Sequence, residues 1–120
     1  MQGSCEHITV RQMSEVPVVA FSRGEITDPE YVEQTQEALY ELVKSHRPEA
    51  MVLDLTSVSH MSSSAFGMLA LLVKVMYEHQ GVVYLTGVSE PLRSILQMLQ
   101  LDQMAPVFET AEEAIESLAD

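Results

Sequence analysis

The sequence predicts an α/β fold: a single domain over residues 1–120, a mixed sheet of about five strands with about four helices, in the order ββαβαβαβα. Three observations carry this. Short apolar runs alternate with longer stretches whose apolar residues recur at helical spacing, the rhythm of strands and crossover helices. The first two runs are separated only by Ser14-Glu15, too short for anything but an antiparallel hairpin. Each later run follows a helical stretch long enough for the crossover that parallel strands need. With 120 residues, 47% of them hydrophobic, and no Gly/Pro/Ser-rich linker, the chain suffices for one packed core.

Each element has local grounds. Ile8 and Val10 alternate with Thr9 and Arg11, giving a first strand with one wet face. Val16 to Phe21 is a second, more continuously apolar strand, and Gly24 marks the turn after it. Asp28-Pro29-Glu30 starts a helix, because Asp28 can cap free N–H groups and Pro29 fits the first helical position. Val32, Ala38 or Leu39, Leu42 and Val43 form its buried stripe, and Pro48 stops it. Met51-Val52-Leu53 leads into Asp54-Leu55, apolar on both faces and so a central, covered strand. A Ser/Thr-rich loop precedes a helix from about Ser63 to about His79, ended by Gly81. Val82-Val83-Tyr84-Leu85 is the next strand. Ser89-Glu90-Pro91 opens a helix carrying Leu92, Ile95, Leu96 and Leu99. Pro106-Val107-Phe108 is a short last strand, and Thr110 to Glu113 match a capping box ahead of a helix reaching about Leu118.

Composition narrows the function. Six Lys+Arg against 18 Asp+Glu give a net charge of −12, which disfavours direct nucleic-acid binding and docking on anionic membranes. The longest apolar run, Phe66 to Val73, is far short of the about 20 residues that membrane insertion needs. Met1 to His7 contains neither the basic nor the apolar region of an export signal. A single cysteine, Cys5, closes no internal disulfide. A cytoplasmic location is expected.

One segment concentrates the chemistry. Leu53-Asp54-Leu55 ends a buried strand, and Ser62, Ser63 and Ser64 stand where the next helix begins. The unpaired N–H groups and the positive end of the helix dipole meet there. One serine can cap the helix. Another can accept a phosphate, a group that a helix N-terminus holds at little cost to the fold. The two roles are compatible, since different serines can fill them.

These residues resemble the signature of STAS domains, and specifically of the anti-sigma factor antagonists. In that family a Leu-Asp-Leu strand leads through a short loop to Asp-Ser-Ser-Gly-Leu-Gly at a helix start. Leu53-Asp54-Leu55 matches the strand, Ser63 falls on the serine the family phosphorylates, Ser64 on its neighbour, and Gly67 and Leu69 also fit. The resemblance extends to Gly24-Glu25-Ile26, to Gly81 through Gly87, to Leu99-Gln100-Leu101-Asp102, and to Phe108 with Ala111-Glu112-Glu113-Ala114, so it covers nearly the whole chain. Two departures from the pattern matter: Ser62 stands where the family has Asp, and Ala65 where it has Gly.

The resemblance implies a protein-binding switch that is not an enzyme and uses no cofactor. Its implied partner is an anti-sigma factor serine kinase, bound while the chain is unphosphorylated and released once Ser63 carries phosphate. Ser62 and Ser64 are the fallback acceptors, and a serine phosphatase would restore the free hydroxyl. The Ser62 and Ala65 departures leave an alternative open: a non-phosphorylated STAS interaction module of a transporter, lipid-trafficking or signalling complex.

The helix after the serines supplies the expected partner surface. From Ala65 to Tyr77 its only charge is Lys74. Leu69, Leu72, Val73 and Met76 can face the sheet, which leaves Met68, Leu71 and Val75 on other faces. Neighbouring helices could cover that excess. The resemblance favours docking instead, since the family binds its kinase with the serine loop and this helix; the expected surface is then Ser62, Ser63, Ser64, Phe66, Gly67, Met68, Leu71 and Val75. Six of the 8 methionines fall between Met51 and Met104, a weak pointer because methionine both fills cores and adapts to partners.

Other constellations carry less. His7, His46, His60 and His79 have no metal-site spacing. A hydrolase built on Ser63 and His60 ranks far lower, because no nucleophile-elbow motif supports it. No P-loop or dinucleotide fingerprint occurs. The acidic Glu109, Glu112, Glu113, Glu116 and Asp120 read as a solvated helix face, and Asp54 as a structural hydrogen-bond acceptor.

Overall fold

Ser14 and Glu15 both take positive φ, 52° and 68°, and fold the chain into the hairpin of β2 (Ile8–Met13) and β3 (Val16–Phe21). The computed structural model describes residues 3–4 and 7–118, so Cys5 lies outside the described residues. A two-residue strand, β1 (Gly3–Ser4), pairs antiparallel with β2. After β3 come β4 (Glu25–Ile26), α1 (Pro29–His46), β5 (Ala50–Asp54), β6 (His60–Met61) and α2 (Ser63–Glu78). Then follow β7 (Val82–Thr86), α3 (Glu90–Met98), a 3-10 turn (Leu101–Gln103), β8 (Val107–Phe108) and α4 (Ala111–Leu118).

The main sheet runs β1-β2-β3-β5-β7-β8. Its first three strands are antiparallel and the remainder parallel. The expected mixed α/β architecture holds, with two additions that the sequence reading lacks: the edge strand β1, and a separate parallel ladder of β4 with β6.

Strand alternation divides the core between the two faces. Val19, Phe21, Met51, Leu53, Val83 and Leu85 face α1, α2 and α3, meeting Leu39, Leu42, Leu72, Met76, Leu92 and Leu96. Val18, Ala50, Val52 and Tyr84 face Ala111 and Ala114 of α4 on the other side. Burial of a side chain such as Leu72, 0% exposed, contributes about 1.5–3 kcal/mol.

The helix ends follow their local chemistry. Asp28 Oδ1 accepts from the Glu30 N–H at 3.1 Å, with Pro29 at the first helical position. Thr110 Oγ1 accepts from the Glu113 N–H at 3.1 Å while the Glu113 carboxylate accepts from the Thr110 N–H at 3.3 Å, the reciprocal pair of a capping box. Among the described residues, no helix is long and apolar enough to cross a membrane.

Candidate functional site

The serine segment leaves β5 through a fixed sequence of contacts. Asp54 Oδ1 accepts from the Thr56 N–H at 3.0 Å and from the Thr56 hydroxyl. The Leu55 N–H donates to Thr86 O at 2.8 Å, tying the loop to the end of β7. Gly87, at φ 66°, packs so closely on Thr56 that a Cβ would overlap its Oγ1 and stand 3.0 Å from its Cα. Val58, 2% exposed, anchors the middle of the loop in the core.

The second half of the loop is held by the chain that follows β3. The Ser59 N–H and hydroxyl donate to Gly24 O at 2.7 and 3.2 Å. Glu25 then pairs with His60 and Ile26 with Met61 across the β4–β6 ladder, and the Ser62 N–H donates to Ile26 O at 3.0 Å. Five residues from Gly24 to Asp28 thereby set both the start of α1 and the position of the serines.

Ser62 caps α2. Its backbone is extended (φ −78°, ψ 169°), its Oγ accepts from the Ala65 N–H at 3.2 Å, and its carbonyl accepts from the Phe66 N–H at 3.0 Å. Ser62 is half-buried, whereas Ser63 and Ser64 are exposed on the first turn. No acidic side chain lies in that turn, so an anion on Ser63 or Ser64 would meet the positive helix end without a like charge on the same turn.

Beside the serines α2 and α3 leave an apolar groove of about 560 Å³. Met61, Phe66, Gly67 and Ala70 line one side, Ile95, Leu99 and Leu101 the other, and Ser63 is its polar lining residue. Midway along, Gly67 is exposed, and a Cβ added there would meet nothing within 4 Å.

The expected partner surface is thus only partly assembled. Ser63, Phe66 and Gly67 meet at the groove, and Ser62 and Ser64 flank it in sequence; Phe66 is buried to 7% and presents little more than an edge. Met68 is a correction: expected on an outer face, it is 3% exposed and packs in the core, because α1 lies against that side of α2. Val75 also turns away from the groove. It lines a small hollow toward α1 with Tyr40, Val43, Lys44 and His79. Leu71 is exposed at 39%.

Sequence reading missed Met61, Ala70, Ile95, Leu99 and Leu101 as groove residues. The available signal was on α3, where Leu92, Ile95, Leu96 and Leu99 make an apolar arc broader than a nine-residue helix needs to bury. Asp54 is the hydrogen-bond acceptor the sequence suggested. His60 is turned to its own neighbours: its Nδ1 lies 3.0 Å from Ser59 Oγ and 3.7 Å from the Glu25 carboxylate. Among the described residues, no hydrogen bond joins it to Ser63, and no cluster of His, Cys, Asp and Glu could hold a metal ion.

Fold and sequence pattern together define the class. The pattern of the STAS domain family matches residues 8–114, and the chain belongs to that family. An anti-sigma-factor antagonist (STAS) domain protein from Planctomyces limnophilus superposes with a TM-score of 0.81 at 27% identity, over 94% of this chain and 98% of that one. The phosphorylated form of the Bacillus cell fate determinant SpoIIAA shares the fold at 21% identity, with a TM-score of 0.73 over 92% of this chain and 98% of that one. A sulfate transporter family protein from Wolinella succinogenes shares it at 13% identity, with a TM-score of 0.70 over 89% of this chain and 87% of that one.

Proposed function

We propose that this STAS domain is an anti-sigma factor antagonist that works as a phosphorylation-controlled binding module in a partner-switching pathway. Its partner is an anti-sigma factor serine kinase, and its acceptor is Ser63. The observation that carries the reading is the placement of Ser63: exposed, one residue past the capping hydroxyl, and on the lip of an apolar groove. Likeness to anti-sigma factor antagonists, one of them in a phosphorylated form, supports it.

The switch follows from charge. Unmodified, Ser63 offers a neutral hydroxyl beside apolar area. On phosphorylation, its Oγ takes the terminal phosphoryl group of ATP, ADP departs and the hydroxyl proton is lost. The site then carries about 1.5–2 additional negative charges. A partner seated on the groove would have to desolvate that charge or face it with its own bound nucleotide, and its affinity falls. A phosphatase reverses the change by hydrolysis.

Incubation with the cognate kinase and ATP, followed by phosphopeptide mapping, tests the reading. Label is expected on Ser63, Ser63→Glu should weaken kinase binding, and Ser63→Ala should retain it. Label confined to residues outside 62–64 would sink the proposal.

A second reading rests on Ser62 and Ala65, which depart from the family's Asp and Gly, and on the fold shared with a sulfate transporter family protein. The same groove then binds a partner with no phosphorylation. Stable binding to a transport component, unaffected by kinase and ATP, would select it.

A further inference from the structure

The apolar groove continues along α2 beyond the serines. α2 packs against α1 and stands apart from α3. Past the groove, a second hollow of about 430 Å³ lies where Val73 and Tyr77 face Val83 and Met104. The two hollows follow one side of α2, from Ser63 to Tyr77, a rise of about 21 Å at 1.5 Å per residue. Across from them α3 and the segment after it contribute Ile95, Leu99 and Met104, exposed at 37, 52 and 45%.

Gly67 shows that this trough is kept open. It sits inside a helix, where glycine is a poor choice, and no part of the fold crowds the space its Cβ would take. Packing within the domain therefore gives no reason for it. A bare backbone there lets a second chain approach α2 closely.

Charge selects the occupant. From Ala65 to Tyr77 the only charged residue is Lys74, yet the chain as a whole carries −12. The trough is a neutral, apolar strip on a strongly acidic body. A partner segment with acidic flanks is repelled by that body, and one with basic flanks is drawn to it. Two hollows without a charged lining residue, in succession along about four turns of α2, match an amphipathic helix lying apolar face down.

We propose that the trough along α2, bounded first by α3 and then by the turn after it, seats an amphipathic helix of the partner protein, apolar on its inward face and bearing Lys or Arg at its flanks. The proposal rests on the reading that this domain acts by binding a protein, and it names the element that is bound. It does not depend on phosphorylation.

Three synthetic peptides of about 14 residues, matching the trough, test it against the full chain by fluorescence anisotropy. One carries a Leu stripe at i, i+3, i+4 and i+7 with Lys/Arg flanks, one the same stripe with Glu flanks, and one the basic composition with the stripe scrambled. The first is expected to bind at least about tenfold more tightly than either other. Gly67→Met and Leu99→Lys should each weaken it by about tenfold or more, whereas Thr9→Ala, on the exposed face of β2, should not. Circular dichroism confirms that each variant is folded. Equal binding of the scrambled or acidic peptide, no binding of any, or unchanged affinity in folded Gly67→Met overturns the proposal. Kinase labelling of Ser63 is scored separately, so a failed phosphoswitch with intact peptide binding leaves this inference standing.

Discussion

Thr56 and Gly87 touch where the loops after the two central parallel strands, β5 and β7, pass one another, and the absence of a side chain on Gly87 is what lets Thr56 reach Asp54. The start of the serine loop therefore depends on a glycine more than thirty positions further along the chain.

Gly87→Ala should destabilise the protein by about 2 kcal/mol or more. A positive φ alone costs a non-glycine residue roughly 1–2 kcal/mol, and overlap with Thr56 adds to it. Urea denaturation should show a lower midpoint. An unchanged midpoint would mean that the two loops do not meet as described.

The three serines should separate by stability. Ser62→Ala removes the cap on Ala65 and should cost about 1 kcal/mol. Ser63→Ala and Ser64→Ala, both at exposed positions, should stay within about 0.5 kcal/mol of the parent. Thermal or urea melts of the three variants check the ranking.

Ser63→Glu should leave the free protein as stable as before or more stable by about 0.3–1 kcal/mol, because the first turn of α2 holds no acidic residue and its N-terminus favours negative charge. Partner affinity should drop in the same variant. A melt showing marked destabilisation would make the glutamate a disruptor of the fold instead of a mimic of phosphate.

Gly67→Ala should raise stability by about 0.5–1 kcal/mol, since the added methyl meets no neighbour and alanine favours the helix. Denaturant titration reads this directly, and a lower midpoint would contradict the open space described at this position.

Tyr40 on α1 gives a pH dependence. Its hydroxyl is buried without a hydrogen-bond partner, and burial raises its pKa above the ordinary 10.0. The folded state thus keeps the proton after the unfolded chain has released it. The Tyr40 contribution is complete below pH 10 and is lost as pH rises beyond it. Tyr40→Phe should lessen that alkaline loss and, by removing an unpartnered hydroxyl, raise neutral-pH stability by on the order of 1 kcal/mol. Melts at neutral and alkaline pH test both effects.

Long or well-capped elements were legible from the chain. Asp28-Pro29, Ser62 to Ser64 and Thr110 to Glu113 announce helix starts through local hydrogen bonding, and the apolar runs of β3, β5 and β7 announce buried strands. β4 and β6 were not legible: each has two residues, and their pairing depends on the Gly24 carbonyl meeting Ser59 and His60 across some 35 positions of sequence. Met68 was misplaced because helical spacing gives the angle of a side chain but not which neighbour covers it; α1 covers this one. The groove residues of α3 escaped for the converse reason. Ile95 and Leu99 read only as apolar positions on a helix, and it is the gap between α2 and α3 that leaves them partly in solvent.

Division of labour at the head of α2 has one more consequence. The oxygen that secures the first turn belongs to Ser62, while the oxygens open to an enzyme belong to its two successors. Chemistry on those successors can be written and erased without unravelling the helix, so a message posted there can be loud to a visitor and nearly silent to the architecture that carries it.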